Sequence, residues 1–250
     1  MNDIDISIII PAFIAGLLIL LTHVPLGIRV LQRGIIFADL AVAQIAGLGV
    51  VIAGLAGYAG QPLIVQLFAV ASALLAAALL TYIERCLPDV LEASIGLLFV
   101  LAASGGILLM SHDTHSGEHL KDLLVGQILW VSNTQLISTA LLSAAILAIW
   151  IGFRQKLGSF GFYALFALAV TASVQLVGVY LVFASLIVPA LATHKLHHKR
   201  MLIAFAVGLA GYAAGLLLSV WLDLPSGAAI VWAMALAGAA AMLMWRNKPK

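Results

Sequence analysis

The densest set of metal-ligand side chains in this 250-residue chain is the segment Ser111–His119, where His112, His115 and His119 stand beside Asp113 and Glu118. Imidazole and carboxylate groups are the donors that zinc and similar divalent cations accept. His115 and His119 are four residues apart, which aligns them on one face of a helix, although Gly117 interrupts the spacing. A hydrated loop of the same composition would need no metal, and residue types alone leave both readings open.

A second candidate lies inside an apolar stretch. Asp39 sits in a run that is otherwise uncharged, and Gln44 follows five residues later. Ionisable groups are costly in hydrocarbon and often mark ion paths. Asp39 therefore reads as a cation ligand, or as a carboxylate paired with Arg29 or Arg33. The metal candidates are thus Asp39, Gln44, His112, His115, Glu118 and His119. His23 reads as a satisfied polar side chain near a helix end. In the group His194, His197 and His198, the adjacent Lys195, Lys199 and Arg200 would repel a metal ion, so this group reads as a membrane-side anchor.

Some chemistries have no support. No Gly-x-x-x-x-Gly-Lys-Ser/Thr run exists to cradle nucleotide phosphates. There is no His-Glu-x-x-His and no Gly-x-Ser-x-Gly. The chain is expected to be no enzyme, to bind no nucleic acid and to hold no permanent cofactor. Energy for active transport would come from another subunit or from an ion gradient. Cys86, the single cysteine, excludes an internal disulfide.

These residues must be positioned by membrane helices. The chain is 64% hydrophobic and 9% charged, whereas a soluble domain carries about 25% charged residues. Spanning helices of about 20 apolar residues are predicted at 6–27, 34–56, 62–83, 93–111, 134–153, 159–176, 178–193, 201–222 and 228–245. The expected fold is all-α, a single transmembrane domain over 1–250 with about eight or nine spans. Of the twelve Lys and Arg residues, only Lys121 falls on the side opposite the others. By the positive-inside rule the N-terminus lies outside and the C-terminus is cytoplasmic.

Arg154 and Lys156 share the cytoplasmic side with the His194–Arg200 group, so residues 159–193 must cross an even number of times. Two thin spans, or two half-helices meeting a cavity, both fit with a sharp reversal near Gln175–Gly178. Leu123–Val131 is too short to cross and either re-enters or lies at the outer interface. The Gly211–Gly215 pair, together with Gly47, Gly49 and Gly54, reads as helix-contact surface.

Four segments, in order, resemble the integral-membrane permeases of ABC transporters for zinc, manganese and iron(II). Leu31–Asp39 resembles the start of that family's second span, and Leu123–Ser132 its Leu-Phe-Gly-Asp-Ile-Leu-Ala-Val-Ser segment. Val177–Thr193 is similar to its Val-Gly-to-Pro-Ala-Ala-Thr-Ala segment, and Asp223–Gly227 to the turn before its last span.

The resemblance implies a homodimeric permease in a bacterial-type inner membrane, with a central pathway for zinc or manganese. A cytoplasmic ATPase pair would drive it and an external metal-binding protein would feed it. The alternative is an ion-gradient-coupled secondary carrier without an ATPase. The family's second span carries an aspartate followed four residues later by a histidine. Asp39 matches the first, but the second position is Ala43, with Gln44 next. The cytoplasmic loop before the sixth span, about Gly152–Ser159, is also shorter than the stretch that docks on the ATPase in the family, so coupling to an ATPase would use other loops such as Glu84–Glu92.

Overall fold

The computed structural model describes residues 6–110, 128–153, 156–196 and 198–246, and every regular element among them is helical. The α-helices are α1 (Ile6–Arg33), α2 (Ala38–Ala53), α3 (Pro62–Cys86), α4 (Leu91–Met110), α5 (Asn133–Phe153), α6 (Ser159–Val177), α7 (Val179–Ala192), α8 (Arg200–Leu222) and α9 (Ser226–Arg246). A wide π turn, Gly54–Tyr58, prolongs α2, and the 3-10 turn Pro88–Val90 joins α3 to α4. Eight of these helical segments are long and apolar enough to cross a membrane. The exception is α7, whose 14 residues reach only about 21 Å.

The first span does not stop at Gly27, as the sequence suggested. It runs on to Arg33 and closes at Gly34, where φ is 70°. There the Gly34 N–H bonds to the Leu31 carbonyl and the Ile35 N–H to the Val30 carbonyl. These are the two bonds by which a glycine-terminated helix satisfies its last carbonyls. Gly27 has a different use: a β carbon there would overlap the backbone carbonyl of Leu186, so it lets α7 lie directly on α1.

Other small residues fix the direction of the helices. Gly16 packs on Tyr212 and Gly208 on Leu20, so α1 and α8 are antiparallel. Gly211 meets Met234 and Gly215 meets Ile230, so α8 and α9 are antiparallel as well. The Gly211–Gly215 pair is therefore a helix-contact surface, as its spacing predicted. Of the α2 glycines, Gly49 packs against Phe68 and Ser72, whereas Gly54 faces open space. Consequently α1 and α9 end at the same end of the bundle, here called the base, and the described chain begins at the opposite end.

The α6–α7 pair forms the centre of the molecule. In its apolar window α6 is 67% buried, against 17% for α5, whose outward side chains suit contact with lipid. Ten of the residues of α7 are buried, and the Ser185 and Tyr212 hydroxyls share a hydrogen bond of 2.9 Å within this core. Because α6 starts beside Arg33 and α8 also starts from the basal side, residues 159–193 leave the base and return to it. That is the even passage required by the basic flanks.

The corner between α6 and α7 is Gly178, with φ 80° and ψ 163°. This backbone region is essentially restricted to glycine. Gly178→Ala is expected to lower the thermal midpoint in detergent, through a strain of about 1–3 kcal/mol. An unchanged midpoint would show that the corner relaxes freely.

Of the segment read as re-entrant or interfacial, residues 123–127 lie outside the described residues. The remainder forms a 3-10 turn, Ile128–Trp130, packed against α1. Ile128 is buried and Trp130 exposed, so the turn is seated in the bundle on one side only.

Candidate functional site

Since Gly34–Phe37 forms a turn, α2 begins later than the sequence suggested, and Asp39 falls in its first turn. It is not one and a half turns inside a span, yet its side chain is withdrawn from solvent, at 1% exposed. The positive end of the helix dipole favours a carboxylate there. No side chain does: among the described residues neither carboxylate oxygen of Asp39 makes a well-formed hydrogen bond, and the donors nearest to it are the backbone amides of Asp39 and Leu40.

The arginines offered as partners by the sequence are engaged or turned away. Arg33 pairs with Glu84 at 3.4 Å, and its guanidinium carbon lies 4.3 Å from the centre of the Phe162 ring. Arg29 is exposed. Arg33 thus ties the ends of α1 and α3 to the start of α6. Trp150 packs on Phe162 with ring centres 6.0 Å apart, which brings the end of α5 to the same place.

On the other side of Phe37, Glu92 in the first turn of α4 accepts the Phe37 N–H at 3.3 Å. Glu92 also lies within electrostatic reach of Asp39. The second oxygens of Glu84 and Glu92 are buried without partners among the described residues, and the Tyr163 hydroxyl lies beside Arg33. The base of the bundle therefore gathers Arg33, Asp39, Glu84, Glu92 and Tyr163. Its spare groups are mostly hard oxygen acceptors, suited to a cation or a proton donor. Among the described residues, no three His, Cys, Asp or Glu side chains converge to hold a metal ion.

Residues 5–162 and 151–245 match the ABC 3 transport family. The chain belongs to the ABC 3 transport family. It is 32% identical over 146 residues to a probable iron transport system membrane protein of Haemophilus influenzae, covering 50% of this chain and 54% of that one. It is 30% identical over 162 residues to the manganese transport system membrane protein MntC of Halalkalibacterium halodurans, covering 56% of each. The chain spans about half the length of the curated relatives it matches. The solved structure of PsaBC from Streptococcus pneumoniae in complex with Fab shares its fold. The TM-score is 0.74 at 24% identity, over 96% of this chain and 91% of that one.

In this ABC 3 family member, the other sequence candidates that fall within the described residues do not join Asp39. Gln44 is half-buried and lies about 140° around α2 from Asp39, so the two do not share a helix face. His112, His115, Glu118 and His119 lie outside the described residues. His23 is fully buried and only half satisfied: Nδ1 lies 3.0 Å from the Ile19 carbonyl, while Nε2 has no partner among the described residues. His194 places Nδ1 2.8 Å from the Leu191 carbonyl and so caps α7.

In the sequence Glu84 and Glu92 read only as the ends of a loop, because charges flanking a Leu-Pro-Asp turn look like an ordinary helix boundary. Only the contacts to Arg33 and to the Phe37 amide distinguish them.

Proposed function

We propose that the chain is the permease subunit of an ATP-driven transporter that moves a divalent metal cation, zinc or manganese, across a bacterial-type cytoplasmic membrane. The observation that carries this reading is Asp39, an acid held out of water at a helix start with no side-chain partner among the described residues. A buried carboxylate without a cationic partner is strongly unfavourable, and passage of a cation accounts for its presence. Ala43 removes the imidazole that the family pattern would put one turn beyond Asp39. The donors left at the base are oxygens, which suit manganese better than zinc.

The reading gains support from relatives described as iron and manganese transport membrane proteins. A cation at Asp39 would complete its shell with water, backbone carbonyls or the same residue of a second copy. His112, His115, Glu118 and His119 would collect metal at the outer face from an external binding protein. With the basic flanks facing the cytoplasm, the base would meet the ATPase.

The deciding experiment reconstitutes the chain in proteoliposomes with and without its ATPase and follows manganese and zinc uptake. Uptake that requires both the ATPase and ATP is expected. Uptake driven by an ion gradient, with no ATPase present, would overturn the ATP-driven reading in favour of a secondary carrier.

A further inference from the structure

Two carboxylates from different helices lie at the start of α2. Phe37 is the residue before its first turn, and Glu92, from the first turn of α4, accepts the Phe37 N–H. Asp39 is the second residue of α2, and helical side chains lean toward the N-terminal end of their own helix. The Asp39 carboxylate is therefore directed to the end at which Glu92 sits, and the two lie within electrostatic reach of each other.

Neither charge is neutralised. Among the described residues the only ion pair is that of Arg33 with Glu84, so the guanidinium of this cluster is already taken. Asp39 is 1% exposed, and no side chain bonds to either of its oxygens. The second oxygen of Glu92 is buried and also without a partner among the described residues. The dipole of α2 favours an anion at its start, but a second anion at close range is repelled by the first. A divalent cation between them would remove that repulsion and balance both charges.

The contact that Glu92 makes is a weak one. At 3.3 Å, its bond from the Phe37 N–H is longer than the usual upper limit of about 3.2 Å. The carboxylate can therefore turn to an ion without giving up a strong bond. Both donors are hard oxygens of the kind that suits manganese, and two carboxylates completed by water hold an ion without caging it.

We propose that Glu92 is the second side-chain donor to the travelling cation, which Asp39 and Glu92 ligate together across the junction of α2 and α4. The inference rests on the reading of Asp39 as a cation ligand and names the residue that shares its load.

A bare helix cap would also place Glu92 at the Phe37 N–H, and Glu92→Gln separates the two roles. It keeps an oxygen for the N–H but removes the charge. The full-length permease in nanodiscs is titrated with manganese(II), and the free ion is followed by its electron paramagnetic resonance signal. Glu92→Gln should weaken binding by at least about tenfold, at an unchanged thermal midpoint. Glu92→Asp, which keeps the charge on a shorter arm, should recover part of that loss. Asp89→Asn removes an exposed acid from the turn before α4 and should leave the affinity unchanged.

If Glu92→Gln binds manganese as the unaltered chain does while Asp39→Asn does not, the role of Glu92 is overturned and that of Asp39 stands. Equal losses in Glu92→Gln and Asp89→Asn would reduce the effect to a diffuse field and overturn the shared site. Binding that survives Asp39→Asn as well as Glu92→Gln would overturn both readings.

Discussion

Asp39→Asn is expected to abolish most metal uptake while making the folded protein more stable. Asn keeps the shape of Asp but carries no charge, so the burial of an unpaired carboxylate is relieved. The gain is on the order of 1 kcal/mol, readable as a higher thermal midpoint in detergent. The same change removes a charged oxygen donor from the base. Even groups that only support a metal ligand cost on the order of 10- to 100-fold in affinity or activity, so uptake should fall by at least that factor.

The two readouts move in opposite directions only if Asp39 is retained for transport. If its role were structural, through the dipole of α2, Asn would lower the midpoint and spare uptake. That outcome would remove the observation on which the proposed function stands.

Much of the helical plan was legible in the sequence because lipid imposes it. Backbone groups in hydrocarbon must be bonded within a helix, so apolar length alone located α3, α5, α6 and α8 to within three residues. Parity of the basic loops also located the passage through Gly178, whose backbone only glycine adopts easily.

What failed was the reading of glycines and charges near helix ends. Gly27 resembled a terminator because Arg29 and Arg33 follow it, but its meaning lies in the Leu186 carbonyl, distant in sequence. The real terminator, Gly34, moved Asp39 to the first turn of α2. The site was less legible still: Asp39 could be singled out by its charge, but its isolation depends on Arg33 choosing Glu84. No local pattern encodes that choice.

The close approach at Gly27 leads to the second large effect. Gly27→Ala is expected to destabilise the protein by about 3 kcal/mol or more, since overpacking of a well-filled core typically costs 1–3 kcal/mol and occasionally more. Two terms oppose each other. Alanine is the better helix former, by about 1 kcal/mol in a helix interior. Against it, the new β carbon would overlap the Leu186 carbonyl group, which is backbone and cannot rotate away as a side chain can. The helices must separate, and α7 is held on its other side by Gly238 against Val188 and by the Ser185–Tyr212 hydrogen bond. The clash therefore outweighs the propensity gain. Gly106→Ala in α4 is the matching control, because no described residue lies within 4 Å of its added carbon. It should leave the thermal midpoint unchanged or raise it, while Gly27→Ala lowers both midpoint and yield. Equal midpoints for the two variants would mean that α7 does not rest on α1 as closely as the Gly27–Leu186 contact requires.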